Sequence, residues 1–293
     1  MDRREAEFPP AGRFLAAGEA RLHYAEEGAG PPVVFVHGIA GTLHDFSLVM
    51  PLVARERRAL AFDRPGHGYS TRPGGEPATA EVQARWLRAA LAAQGVARPV
   101  VVGHSWGGAL ALSYTLQFPE EVAGLVLVAS VAYPLRGYGP LLALARLLCA
   151  PVAGNVLLST LAAPLGPVAA GRLLEAAFSP DAVLPGVAPR AAALWTRPAA
   201  ARAAAEDGIT LARSLRAMRP RYPTIRVPVH IVVGEEDRIV NPAEHSYPLR
   251  HAIGHSRLTR LARAGHAIPW THPEVVAEAI RSLAQDSPAG NRR

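Results

Sequence analysis

Gly103-His104-Ser105-Trp106-Gly107 is the stretch whose reading decides the fold. It follows the apolar run Pro99-Val100-Val101-Val102 and precedes a helical pattern running from Gly108 to Leu116. A G-x-S-x-G string between a strand and a helix is the context of a nucleophile elbow. The flanking glycines remove a Cβ where backbone segments crowd on a strained turn. The serine then stands at the carboxyl end of a strand, with the positive end of the next helix beneath it. A serine hydroxyl alone is a weak nucleophile, so chemistry here needs a base and a group that orients the base.

Working outward, Pro32 to Val36 and Ala59 to Phe62 are apolar runs of strand length. They end at His37-Gly38 and at the turn-rich Asp63-Arg64-Pro65-Gly66-His67-Gly68. Val122 to Val128, Val229 to Gly234 and Arg257 to Leu261 are further strands, and Arg13 to Ala17 with Arg21 to Ala25 form an opening hairpin. Helices are expected over Thr79 to Gln94, Ala243 to His251 and Pro273 to Leu283. In the first of these, Val82, Trp86, Ala89, Ala90 and Ala93 fall on one face. Strands alternating with helices imply a parallel sheet with right-handed crossovers. The alternation stops from about Tyr133 to Tyr222, a helical and Pro-broken block expected to cover one edge of the sheet. The division is therefore core over 12–132, helical cap over 133–222, core over 223–285, and disordered tails at 1–11 and 286–293.

At 293 residues, 49% hydrophobic and 19% charged, the chain has a globular composition with room for a large core. Its one cysteine, Cys149, allows neither an internal disulfide nor a Cys-cluster zinc site. All 31 basic residues are arginine, which excludes a P-loop lysine, a Schiff-base lysine and a Ser-Lys dyad. The arginines are scattered, so the net charge of +7 does not point to nucleic acid. No apolar stretch follows the N-terminal arginines, so neither signal peptide nor anchor is expected, and a cytoplasmic location is. Leu147 to Gly171 carries no charge but is interrupted by proline and glycine. Short helices around an apolar pocket are expected there, with peripheral membrane contact through the cap left open. The arginine-rich half, 190 to 221, includes Glu206 and Asp207 and reads as a solvated face, with attraction to anionic lipid or substrate as the alternative.

On such a sheet, ligands sit at the carboxyl ends of the strands. Two strand ends beyond the cap carry suitable groups, Gly234-Glu235-Glu236-Asp237 and Ala264-Gly265-His266. Of the other histidines, His37 is expected to shape its loop, His67 to organise a turn with Asp63, His104 to be structural and His230 to be a hydrogen-bonded core residue. His245, His251 and His255 are expected at the surface. No cluster has metal-ligand spacing.

The order Ser105, Asp237, His266, with His37-Gly38-Ile39-Ala40-Gly41 and Phe62-Asp63-Arg64-Pro65-Gly66-His67-Gly68, resembles the α/β-hydrolase superfamily from about Arg13 to Leu283. The resemblance implies an α/β fold with a mostly parallel eight-stranded sheet and a helical cap after the sixth strand. It implies Ser105 as nucleophile, His266 as general base and then acid, and Asp237 as the group holding the imidazole. It also implies the backbone N–H groups of Ile39 and Trp106 as the oxyanion hole, with no cofactor and no metal. Trp after the nucleophile is similar to haloalkane dehalogenases and epoxide hydrolases, which resemble this chain with Asp in place of Ser. A serine attacking the same carbon would leave an inert ether, so acyl chemistry on an apolar small molecule is expected. Carbon–carbon bond cleavage of a diketone, perhydrolysis, and a non-catalytic receptor for an apolar ligand stay open.

Overall fold

Side chains that alternate along the central strands go to two different cores. The computed structural model describes residues 7–135 and 137–285. Its strands are β1 Arg13–Ala17, β2 Ala20–Glu27, β3 Pro32–Val36, β4 Arg58–Phe62, β5 Val100–His104, β6 Gly124–Val128, β7 Val229–Gly234 and β8 Arg257–Leu261. Val34, Val36, Leu60, Phe62, Val101, Leu125, Leu127, Val229 and Ile231 join one core. Val33, Phe35, Ala59, Ala61, Val100, Val102, Val126, Val128 and Val232 join the other. This is the two-period alternation of a sheet covered on both faces, and it explains why these strands read as unbroken apolar runs.

The eight strands form one sheet in the order β1-β2-β4-β3-β5-β6-β7-β8. The β1–β2 and β2–β4 pairs are antiparallel, and all pairs from β4 to β8 are parallel. The fold is the expected mostly parallel eight-stranded architecture. The helices relevant to the site are α1 Met50–Val53, α2 Ala80–Ala93, α3 Trp106–Gln117, α4 Gly139–Cys149, α5 Ala153–Phe178, α6 Val187–Trp195, α7 Pro198–Met218, α8 Ser246–Ala252, α9 Ile268–Thr271 and α10 Pro273–Gln285. Helices α2 and α3 cover the first face of the sheet, and α1 and α10 the second.

Helix α2 begins where expected, with the Thr79 hydroxyl accepting from Val82 N at 3.3 Å. Its buried face matches the expected one only in part: Val82 and Ala90 are inside as expected, with Ala80, Gln83, Ala84, Leu87 and Leu91, whereas Ala89 and Ala93 are exposed. Small residues let this face approach α3 and the sheet closely, and Trp86 stays half-buried, where its polar indole edge can remain wet.

Helices α4 to α7 fill the interval between β6 and β7. The chain bends by 97° between α4 and the first turns of α5, and among the described residues no single helix is long and apolar enough to cross a membrane. Leu141 and Leu144 on α4, Val152 in the break and Val156 on α5 are exposed. Residues 1–6 and 286–293 of the expected tails lie outside the described residues. In the remainder of the first tail, the Phe8 carbonyl accepts from the Tyr69 hydroxyl and the Arg190 guanidinium sits 5.0 Å from the Phe8 ring centre.

Candidate active site

Strand β5 delivers Ser105 into a turn at φ 56° and ψ −122°, which a residue with a side chain rarely adopts. Strain of this kind costs of the order of 1–3 kcal/mol and persists only where surrounding contacts enforce it. Here Ser105 N donates to Val128 O at 3.0 Å, and Val131 N donates to Ser105 O at 3.1 Å. The glycines act as the sequence implied. A Cβ on Gly103 would lie 2.5 Å from Gly107 O, and one on Gly107 would run into the Val36 carbonyl.

Strand β7 ends at Gly234, and the following turn buries Asp237. Asp237 Oδ1 accepts from the backbone N–H groups of Ile239 and Val240, both at 2.8 Å. Oδ2 accepts from His266 Nδ1–H at 2.7 Å. Burial opposes the charge on Asp237, but His266 and the two backbone donors outweigh it and hold the carboxyl below its usual range. With the proton on Nδ1, His266 keeps its Nε2 lone pair as a base. His266 N and Ala267 N both donate to Ala177 O of α5 at 2.9 Å, so the helical insertion supports this loop. Glu235 is bound to Tyr247 and Arg260, and Glu236 is exposed, which leaves Asp237 as the partner of His266.

Ser105 and His266 are linked through their neighbours. His104 Nε2–H donates to the His266 carbonyl at 2.9 Å, and the two rings are 4.8 Å apart at their centres. Burial, and after it the nearby His266, pushes His104 down to about 3, so it stays neutral. The Ser105 hydroxyl makes no hydrogen bond with His266, a contact of the kind that tightens when substrate binds. Gly38 lies on the other side of the serine. The N–H groups of Ile39 and Trp106 donate to no group among the described residues.

The remaining histidines divide. His37 shapes its loop as expected, with Nδ1–H donating to Gly38 O and Nε2 accepting from Arg64 N, both at 2.8 Å. His230 is the expected core residue, bound to Ser282 and Thr259. One expectation is corrected. His245 is buried, because its Nδ1 accepts from Ala132 N and Tyr133 N where the chain leaves β6. His67 and Asp63 both serve the turn as expected, His67 Nδ1–H donating to Pro65 O at 3.3 Å and Asp63 accepting from Tyr69 N at 2.8 Å, while the side-chain partner of Asp63 is His23 at 2.7 Å.

The sequence reading missed a buried cluster beneath the site. Arg64 Nη1 donates to Asp207 Oδ2 of α7 at 2.6 Å and to Gln83 Oε1 of α2 at 2.9 Å. Asp207 is fully buried and also accepts from Arg72 at 2.7 Å, so it is not part of a solvated face. A clue was present: Ala200, Ala203, Leu211, Ser214 and Leu215 share the buried stripe of α7, and Asp207 falls within it.

A cavity of about 240 Å³ adjoins the Ile39 loop, lined by Thr42, His44, Asp45, Arg190, Trp195 and Trp270 among others. Burial pushes Asp45 up to about 7. Burial, followed by Arg190 at 3.1 Å, pushes His44 down to about 4.

The family described as alpha/beta hydrolase fold matches residues 31–273, and the chain belongs to it. A 2-hydroxymuconate semialdehyde hydrolase of Pseudomonas sp. (strain CF600) is 30% identical over 290 residues, covering 95% of this chain and 94% of that protein. An alpha/beta hydrolase fold protein from Burkholderia ambifaria superposes with a TM-score of 0.77 at 25% identity, over 92% of this chain and 99% of the other. A thermophilic esterase from Thermogutta terrifontis superposes with a TM-score of 0.76 at 24% identity, over 93% and 96%, a likeness of fold. Family membership and these relatives make the chain a hydrolase.

Proposed function

We propose that the chain is a serine hydrolase that cleaves an ester or related acyl bond of a mostly apolar small molecule. The observation that carries this reading is the His266–Asp237 hydrogen bond of 2.7 Å at the strand end next to the Ser105 elbow. Ser105 Oγ attacks the substrate carbonyl carbon while His266 Nε2 takes its proton, and Asp237 stabilises the imidazolium. The carbonyl oxygen becomes an oxyanion between the N–H groups of Ile39 and Trp106, where one such donor is worth about 100- to 1000-fold in rate. Collapse expels the alcohol, which takes the proton back from His266. Water, deprotonated by the same Nε2, then attacks the acyl ester and frees Ser105 and the acid.

A second reading is carbon–carbon bond cleavage of a diketone-type substrate by the same groups. It is favoured by the likeness, across nearly the whole chain, to the semialdehyde hydrolase. The test is fluorophosphonate labelling together with turnover of p-nitrophenyl esters of rising chain length and of a vinylogous diketone. Labelling at Ser105, lost in Ser105→Ala, with ester turnover abolished in His266→Ala, is the expected result. Diketone turnover without ester turnover would select the second reading. Ligand binding without labelling or turnover would reject both.

A further inference from the structure

Arg64 sits at the end of β4 with its side chain buried, and all five of its N–H groups meet acceptors. Nε donates to His37 O at 3.0 Å, and Nη1 to Asp207 Oδ2 and Gln83 Oε1. Nη2 donates to Gly38 O at 3.0 Å and reaches His67 Nε2 at 3.4 Å. The guanidinium carbon stands 4.1 Å from the centre of the Trp106 ring, whose indole N–H donates to the backbone carbonyl of Asp207 at 3.3 Å.

One of these bonds bears on the reaction centre. The Gly38 carbonyl and the Ile39 N–H are the two ends of a single peptide unit. In a planar trans peptide they point in opposite directions, so whatever fixes the oxygen aims the N–H. Three donors reach that oxygen: His37 Nδ1–H at 2.8 Å, Arg64 Nη2 at 3.0 Å and, at the longest distance, Gly41 N–H at 3.3 Å. The bond from Arg64 is charge-assisted, which draws electron density toward the carbonyl oxygen and makes the N–H at the other end a stronger donor. The Ile39 side chain is itself exposed, so it does little to hold this peptide.

A buried guanidinium needs a counter-ion, and for Arg64 it comes from the helical insertion. Asp207 is buried on α7 and held by Arg72 and by Gln83 Nε2 at 2.8 Å. We infer that Arg64 is a positioning residue for the Ile39 donor, seated by Asp207, so that the docking of α7 sets the strength of the oxyanion hole. This rests on the serine-hydrolase reading above. The blander role, a staple between insertion and core, predicts lower stability with turnover unchanged.

The test uses Arg64→Lys and Asp207→Asn in the full chain, assayed at a temperature where melting curves show each variant folded. Lysine keeps the charge but cannot satisfy His37, Gly38 and Asp207 together. The expected result is a fall in kcat of about 10- to 100-fold with KM within about threefold, a fraction of the loss from deleting an oxyanion donor outright. A boronic acid, which mimics the tetrahedral adduct, should lose affinity in parallel. Glu206→Gln is the control. It removes a neighbouring carboxylate that pairs, among the described residues, with Arg72 alone, at 2.9 Å, and should leave kcat within about twofold. If Arg64→Lys does not fold, Asp207→Asn and Gln83→Met carry the test, with the Ile39 amide resonance as a readout independent of turnover. Wild-type labelling and turnover are measured first, because their absence would remove the hydrolase reading itself. With both present, wild-type kcat and an unmoved Ile39 resonance in folded variants would overturn the positioning role alone.

Discussion

Gly38 lies against Ser105 so closely that a Cβ on the glycine would stand 2.9 Å from the serine Cβ and 3.2 Å from its Oγ. The strand-end loop after β3 and the elbow after β5 therefore share one van der Waals surface, with no spare volume between them. Gly38→Ala should push Ser105 and the Ile39 peptide apart. Displacement of about 1 Å at a reacting group costs about 100-fold. Steady-state kinetics should show that loss in kcat/KM, while circular dichroism shows the fold retained.

Asp237 fixes which nitrogen of His266 carries the proton. Asp237→Asn can present an N–H to His266 and favour the opposite tautomer, leaving Nε2 protonated and useless as a base. Loss of kcat on the order of 10⁴ is expected. Fluorophosphonate labelling should slow in step, and labelling at the wild-type rate would show that another group activates Ser105.

Asp45 should make stability depend on pH. Its folded value is pushed up to about 7, so between the ordinary carboxylate range and neutrality the unfolded chain ionises while the folded one keeps the proton. The folded state binds more protons in that window, so this group's contribution falls as pH rises through it and levels off above about 7. Asp45→Asn removes the dependence. Urea midpoints at pH 5 and pH 8 should show the variant gaining on the wild type at the higher pH.

Asp63 works in the opposite direction. Burial opposes its charge, but His23 and the nearby donors hold its folded value below the usual range. Its contribution is present above the ordinary carboxylate pKa and is lost as pH falls through the depressed one. Asp63→Ala would remove the buried acceptor shared by His23 Nδ1–H and the N–H groups of Leu43 and Tyr69. A loss of about 3–5 kcal/mol in denaturant unfolding at pH 7 is expected, shrinking toward acid.

The sheet was legible because its central strands are buried on both faces and so carry continuous Val and Leu runs that little else explains. The elbow was legible because steric clearance forces glycine at particular positions. Helix α2 was located correctly but its inward face only in part, with Val82 and Ala90 inside and Ala89 and Ala93 outside, since alanines on several sides give periodicity little to distinguish. The pairing of Arg64 with Asp207 was hidden for another reason. The two are 143 residues apart in the chain, and no local pattern tells a buried ion pair from a solvated charge. His245 was misread similarly, because the groups that bury it come from the far end of the insertion.

Among its contacts with the core, the insertion supports the site at two places: the Ala177 carbonyl under the His266 loop, and Asp207 under Arg64 and Trp106. It is therefore not an interchangeable part. A chimera carrying another relative's segment between β6 and β7 would need an acceptor and a carboxylate at these two places before its new pocket could be of any use. Under the proposed function, variation in substrate would then fall on α6, which lines the cavity beside the Ile39 loop, while the two anchors stay fixed.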